Sequence, residues 1–411
     1  MRTNPIIYAI PVFILTIVLE AWLTRRRNAG IYDLPDAVTS LQHGVLSQVA
    51  NAFTKLATVG IYVAVYDQYR ATTWPTSSAL AWVAALILYD FFYYWYHRLS
   101  HEVALLWAAH VAHHSSEYYN LSTALRQSST AAALGWMFYL PMAVAGVQPA
   151  MFVVVAIINL LYQYWPHTQL VGKLGWVDRV LVTPSNHRVH HGQNDYCLDV
   201  NYGGILIVWD RLFGTFSEER DDEEVCFGVR KPLVSFNPLW GNLYYYADLW
   251  QQARATRGWR DKLHVWLGPP GGWRATDAPH FDPSGFRRYD EHTPGPLRWY
   301  GALQHGLITL MLMHFLAVET RLTIVQAATY GFVMACGIVS VGALFEQRHW
   351  GKWLEQARVL ALGGAFAAIP AWFGSDTPIW LRAAVAFFAL CCVAWLSRQN
   401  VAPQTRLAPA P

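Results

Sequence analysis

The chain has 411 residues, of which 54% are hydrophobic and only 14% are charged. Soluble domains typically carry about 25% charged residues, so this composition predicts an integral membrane protein rather than a soluble one. The formal net charge of +3 is too small to favour a nucleic-acid partner. The five cysteines form no CxxC pair, which argues against a disulfide framework and against a thiolate metal site.

Nine apolar segments predict an all-α, polytopic bundle of membrane helices, because several of them approach the roughly 20 residues that cross a bilayer. The segments are 5–24, 45–66, 78–95, 131–147, 149–165, 303–318, 323–344, 357–373 and 379–396. The fourth and fifth are expected to form a hairpin that enters the membrane and returns. Arg25, Arg26 and Arg27 directly follow the first segment, and positive charge marks cytoplasmic loops. The segments 96–130 and 166–302 are therefore expected on the cytoplasmic side.

Hydropathy divides the chain into four parts. These are N-terminal membrane helices (1–77), a central part (78–235), a soluble connecting segment (236–297) and C-terminal membrane helices (298–411). The run NYGGILIVWD, residues 201–210, predicts a short β-hairpin in the otherwise helical and irregular soluble portion.

Nine of the sixteen histidines lie between residues 97 and 191 and form an HxxxH motif, two HxxHH motifs and one isolated site. Residues three and four apart lie on one face of a helix. The nine are His97, His101, His110, His113, His114, His167, His187, His190 and His191. Imidazole binds iron, zinc, copper and nickel, and nine imidazoles exceed the needs of one ion. The pattern therefore predicts a dimetal site on the cytoplasmic face, and iron suits a histidine-rich, carboxylate-poor site that keeps positions open for oxygen.

Metal-bound histidines usually donate their second N–H to a carboxylate or a carbonyl. The candidate carboxylates are Asp90, Glu102, Glu117, Asp195, Asp199 and Asp210. Glu102 is the first choice because it directly follows His101. Asp90 lies two helical turns before His97, and an acid at that depth in an apolar segment is costly and often functional.

These motifs resemble the fatty acid hydroxylase / sterol desaturase superfamily of membrane non-haem diiron oxygenases. The resemblance covers about residues 80–235, and the strings HRLSHEVALLWAAHVAHHSSEYYNLSTALRQS and TPSNHRVHHGQNDYCLDVNYGGILIVWDRLFGTF are similar to its alkylglycerol monooxygenase branch. It implies that 78–235 is the catalytic domain, that the nine histidines are the metal ligands, and that Glu102 matches a glutamate important for activity. Asn186 departs from the branch, which commonly has a histidine there.

The resemblance also implies the chemistry: an iron-dependent oxidoreductase with two iron ions and dioxygen as co-substrate, hydroxylating a C–H bond of a lipid. In the alkylglycerol branch, oxidation next to an ether oxygen gives a hemiacetal that collapses to a fatty aldehyde and a glycerol derivative. That branch takes its electrons from tetrahydrobiopterin.

Two alternatives stay open at this point. One is a sterol, fatty-acid or other lipid hydroxylase or desaturase that uses a small electron-donor protein. The other is a transition-metal transporter or sensor. Transporters place their ligands near the membrane midplane between broken helices, whereas these histidines follow the apolar segments, which favours the oxygenase.

Overall fold

The computed structural model describes residues 4–401, apart from the side chain of Leu56, and confirms the all-α class. The helices are α1 (Ile6–Arg26), α2 (Leu34–Tyr69), α3 (Ala79–Glu102), α4 (Ala104–Ala108), α5 (Val111–His114), α6 (Ala131–Gly135), α7 (Leu140–Ala145), α8 (Pro149–Tyr162), α9 (Pro184–His190), α10 (Val208–Phe213), α11 (Pro238–Ala255), α12 (Trp259–Leu267), α13 (Gly295–Val318), α14 (Ile324–Phe345), α15 (His349–Ala368) and α16 (Ile379–Ser397). In the described part of the chain, the strands are β1 (Ala371–Trp372) and β2 (Ser375–Asp376), which pair antiparallel.

Six helices are long and apolar enough to cross a membrane: α1, α2, α3, α13 with the turn that follows it, α14 and α16. This confirms a multi-pass membrane protein, but the count within residues 4–401 is six rather than nine. The hairpin segments form the shorter apolar helices Ala131–Ala145 and Pro149–Tyr162. Helix α15 is 20 residues long, but it carries the buried charges Glu355 and Arg358.

The hairpin enters the bundle and turns at the level where α2 connects to α3. Ala71 N donates to Val144 O at 2.8 Å, and Trp74 N donates to Gly146 O at 3.0 Å. Gly146 has φ +97°, and a Cβ there would lie 2.1 Å from the carbonyl oxygen of Thr72. Only glycine permits both this conformation and this close approach, so the turn ties the hairpin to the α2–α3 connection.

The prediction of a β-hairpin at residues 201–210 is wrong; residues 201–207 form a loop and residues 208–210 are the start of α10. Two carboxylates bind the backbone N–H groups that a partner strand would have bound. Asp210 accepts from Tyr202 N and Gly203 N at 2.7 and 2.8 Å. Asp90 accepts from the N–H groups of residues 205 and 206 at 2.7 and 3.0 Å.

The C-terminal helices pack directly on the N-terminal ones. Val45 and Val49 of α2 share one buried apolar cluster with Ile308 and Leu312 of α13. Helices α13, α14, α15 and α16 pack on one another in chain order. The helices after residue 295 therefore form part of the same bundle that surrounds the histidine-rich segment, while the four-part division of the chain stays a prediction.

Candidate metal centre

Four short segments bring the nine histidines together. The last turns of α3 carry His97 and His101, and the short helices α4 and α5 follow at once with His110, His113 and His114. His167 follows α8, and α9 begins with Pro184 at its first position and carries the last cluster. Proline is favoured there because its fixed φ suits the first turn and its missing N–H is not needed. The two HxxHH motifs therefore lie on or directly beside helices of only one or two turns, whereas His97 and His101 lie at the end of the long helix α3.

The nine side chains form two groups whose ligand atoms lie within 4.8 Å of one another in each group. The first group contains His97, His101, His110, His114 and His190, and the second contains His113, His167, His187 and His191. All are buried except the partly buried His110. The structure thus assembles every histidine that the sequence singled out.

The spacing of the nitrogens fits metal coordination. His110 Nε2 lies 3.1 Å from His97 Nε2 and 3.0 Å from His114 Nε2. His167 Nε2 lies 3.1 Å from His187 Nε2 and 3.4 Å from His113 Nε2. Nitrogens at about 2.1 Å from one ion lie roughly 3.0 Å apart at right angles and roughly 4.2 Å apart when opposed.

Four further ring nitrogens are buried without a hydrogen-bond partner: His101 Nε2, His187 Nδ1, His190 Nε2 and His191 Nε2. Each such atom costs about 1–3 kcal/mol if nothing binds it. His187 already directs its Nε2 toward His167, so its Nδ1 is not a second donor to the same ion. The unpartnered Nε2 atoms of His101 and His190 in the first group and of His191 in the second are donors that a metal ion would satisfy, so the residues fit the metal ions that the sequence predicts.

Backbone carbonyls orient the rings from behind. The Nδ1 atoms of His97, His113, His167 and His190 lie 2.8–3.0 Å from carbonyl oxygens of Tyr202, Arg126, Gln163 and Val200. A carbonyl can only accept, so each Nδ1 carries the proton and each Nε2 presents its lone pair.

Within residues 4–401, none of the six candidate carboxylates is hydrogen-bonded to any of the nine rings. Asp90 and Asp210 instead fix the loop that contains Tyr202, whose carbonyl orients His97. Glu117 accepts from Tyr289 N, and Asp195 pairs with Arg230 and His280. Glu102 pairs with Arg98 at 2.8 Å and is partly exposed.

Burial keeps these imidazoles neutral. It lowers the pKa of His113 to about 4 and that of His190 to about 3. Burial also holds the pKa of His110, His114 and His191 well below the ordinary histidine value. Neutral imidazole is the form that binds metal.

Two cavities reach the histidines from different sides. One, of about 450 Å³, is lined mainly by apolar side chains of α1, α2, α3, α8 and α13 and ends on His97, His110, His113 and His167. The other, of about 590 Å³, contacts His101, His114 and His190 and is lined by Trp107, Asp199, Arg230, Tyr245 and Trp273, among others. Burial raises the pKa of Asp199 to about 6, and the nearby charge of Glu102 adds to this rise.

Comparisons with known proteins give the family. Residues 82–215 match the fatty acid hydroxylase family model. An alkylglycerol monooxygenase of Xenopus tropicalis is 35% identical over 93% of this chain and 86% of its own length. One of Danio rerio is 39% identical over 86% of this chain and 80% of its own length. The chain belongs to the alkylglycerol monooxygenase family. It is therefore a membrane oxidoreductase that hydroxylates lipids.

A more distant relative is an ornithine lipid hydroxylase of Rhizobium tropici, 28% identical over 39% of this chain and 50% of its own length. No solved structure matches this chain. Membership of the alkylglycerol monooxygenase family and the two histidine groups together support a non-haem iron site.

Sequence reasoning missed Arg126 and Asp36 as supports of the site. Arg126 is 2% exposed, and its guanidinium binds Asp36, Ser40 and Ser115. The only sequence signal was the polar stretch after His114, in which Arg126 follows several hydroxyl residues. Asn186 donates to the carbonyls of Asp178 and Leu181 at 3.1 Å and stabilises the turn before α9.

Proposed function

We propose that this protein is an ether-lipid oxygenase that holds two iron ions, one in each histidine group, and acts on an alkylglycerol. The observation that carries the proposal is the position of the two buried histidine groups between two cavities. The first is the apolar cavity of about 450 Å³ among the long helices, called the membrane cavity below, and the second is the more polar cavity of about 590 Å³. The relatives from Xenopus tropicalis and Danio rerio are alkylglycerol monooxygenases, which supports the substrate class. A transporter would need ligands at the midplane between broken helices, whereas these histidines lie in the last turns of α3 or in segments outside the six candidate membrane helices.

The nine histidines would hold the iron, and Glu102 is proposed to support activity through its charge on Asp199, which lines the second cavity. When bound, non-haem iron supplies activation of dioxygen and removal of hydrogen from an unactivated C–H bond. The protein positions the lipid and excludes water from the site. Aromatic and aliphatic side chains such as Tyr62, Phe152 and Leu312 line the membrane cavity, where an alkyl chain would bury its surface at about 25 cal/mol per Å².

The second cavity suits a reductant that is a flat, polar heterocycle, and we assign it to tetrahydrobiopterin. Trp107, Tyr245 and Trp273 offer aromatic faces, while Asp199 and Arg230 offer hydrogen-bonding groups of both charges. The cavity contacts His101, His114 and His190 of the first group, so an electron donor there would lie next to that group. A protein electron donor is the alternative that the experiment below separates.

We assign the histidine groups to the cytoplasmic side. The carboxylate of Glu20, near the end of α1, accepts from Leu121 N at 2.8 Å, and Leu121 lies in the loop that follows the HxxHH motif. Arg25, Arg26 and Arg27 come at the end of the same helix. The cluster of positive charge therefore lies on the same side as the histidines, as the positive-inside rule predicts for the cytoplasm.

The test is metal content and Mössbauer spectroscopy on the purified protein beside the variants His113→Ala and His190→Ala, which remove one histidine from each group. We expect two irons per chain in a spin-coupled pair, and a loss of iron in each variant. Turnover of 1-O-hexadecylglycerol with tetrahydrobiopterin supports the full assignment. Turnover only with a ferredoxin-type donor overturns the pterin assignment, and full iron content in both variants overturns the metal assignment.

A further inference from the structure

His305 of α13 is a buried histidine outside the metal centre. It is 8% exposed, lines the membrane cavity, and lies on the C-terminal part of the chain, beyond the segment that matches the fatty acid hydroxylase model. Its Nε2 lies 3.3 Å from the hydroxyl oxygen of Thr309, and its Nδ1 has no hydrogen-bond partner. Thr309 and Gln48 line the same cavity.

An unpartnered buried nitrogen costs about 1–3 kcal/mol, so a ligand group that satisfies it would bind with that advantage. A hydroxyl suits either tautomer of His305 because it can both donate and accept. The cavity lining contains no Asp, Glu, Lys or Arg among the residues that the structure describes. A ligand group with a full charge would therefore lose its hydration in this cavity without gaining an opposite charge, which is unfavourable. The lining thus favours an uncharged polar group.

These three polar residues line the same cavity as His97, His110, His113 and His167. Val45 and Val49 flank Gln48 on α2 and pack with Ile308 and Leu312, which flank Thr309 on α13. One turn before Gln48, a Cβ on Gly44 would lie 2.7 Å from the carbonyl oxygen of Leu125. Leu125 precedes Arg126, whose carbonyl orients His113. Gln48 is thus one helical turn, roughly 5 Å along the axis, from the residue of α2 that contacts the loop whose next carbonyl orients His113.

We propose that His305, with Thr309 and Gln48, is a subsite for the free hydroxyls at the polar end of the substrate lipid. The inference rests on the proposed ether-lipid function and specifies how its substrate is oriented. In an alkylglycerol, the hydroxyls are only a few bonds from the carbon next to the ether oxygen. A hydroxyl held at His305 would leave that carbon facing the histidine groups and the alkyl chain free to fill the apolar part of the cavity. The helices after residue 295 would then contribute directly to substrate selection.

The experiment compares 1-O-hexadecylglycerol with its di-O-methyl ether, which keeps the chain and the ether bond but lacks both hydroxyls. The full-length protein in nanodiscs is assayed as wild type, His305→Leu and Thr309→Val. His314→Leu is the matched control because His314 is on the same helix but binds Tyr330 and Ser375 outside the cavity lining. Turnover and lipid binding by titration calorimetry are both measured.

We expect His305→Leu to lower kcat/KM and affinity for the diol by about 10- to 100-fold and to leave those for the dimethyl ether within about twofold. Thr309→Val, which is nearly isosteric, gives a smaller loss with the same selectivity and guards against a folding defect. Equal losses for both lipids, or none, overturn the subsite. His305-dependent diol binding without turnover in the iron-loaded wild type supports the subsite and overturns the proposed function. Normal turnover of the diol that does not depend on His305 supports the proposed function and overturns the subsite.

Discussion

The guanidinium of Arg126 and the carboxylate of Asp36 form a buried ion pair at 2.8 Å, and the carbonyl of the same arginine orients the His113 ring. Asp36 lies in the first turn of α2, and its second oxygen accepts from the hydroxyl of Ser116. A membrane helix is therefore connected to the second histidine group through one buried side chain. Such pairs are costly to break because the remaining charge is left without compensation.

Arg126→Leu is expected to destabilise the protein by about 3–5 kcal/mol and to reduce iron in the second histidine group. Thermal unfolding in detergent and iron content provide the measurements. Arg220→Leu is the control, because Arg220 forms an exposed pair with Glu223 at 3.5 Å. Similar behaviour of the two variants would contradict a supporting role for Arg126.

Glu102→Gln is expected to raise the KM for tetrahydrobiopterin by about tenfold or more while iron content stays unchanged. The carboxylate is partly exposed, binds Arg98 and makes no hydrogen bond to the metal-centre rings. Its charge affects Asp199, which lines the second cavity. Steady-state kinetics with varied pterin and metal analysis test this. Loss of iron in Glu102→Gln would instead make Glu102 part of the support of the metal centre.

Ala156→Phe is expected to shorten the longest alkyl chain that is turned over, because Ala156 lines the membrane cavity and the added ring would occupy part of its volume. A series of alkylglycerols with chains of increasing length provides the measurement. Ile158→Phe is the matched control, since Ile158 lies on the same helix and is 43% exposed on its outer surface. An unchanged chain-length profile in Ala156→Phe would show that the chain lies elsewhere.

Burial raises the pKa of Glu117 to about 7, from an ordinary value near 4.5. Between these values the folded state holds a proton that the unfolded state has lost, so stability falls as pH rises through this range. Glu117→Gln is expected to reduce this loss of stability with rising pH. The stability of the variant relative to wild type should therefore be greater at pH 8 than at pH 5. Thermal unfolding at both values tests this, and Glu224→Gln, a change in the acidic run of residues 218–224, serves as the control. An unchanged slope in Glu117→Gln would contradict the raised pKa.

The sequence was sufficient for the helical class, the multi-pass membrane character and the set of nine histidines, because apolar run length and histidine spacing are local properties. The loop that residues 201–207 form in place of the predicted β-hairpin was not predictable from local pattern. Its backbone N–H groups are bound by Asp90 and Asp210, and Asp90 is more than a hundred positions away in the chain.

The division of the histidines between two groups was decided by the tertiary structure. The pairs four residues apart stay together: 97 with 101, 110 with 114, and 187 with 191. His113 and His190 each leave their own motif and join the opposite group. Residues four apart differ by only about 40° around a helix, whereas neighbouring residues differ by about 100°, so on one short helix a third ring faces away from the pair. The spacing within a motif determines which two rings stay together. Only the packing of α3, α5 and α9 determines which group the remaining ring, His113 or His190, joins. The backbone carbonyls that orient these rings could not be predicted from the sequence either. Every residue has a carbonyl, and only the fold determines which carbonyl lies next to an imidazole.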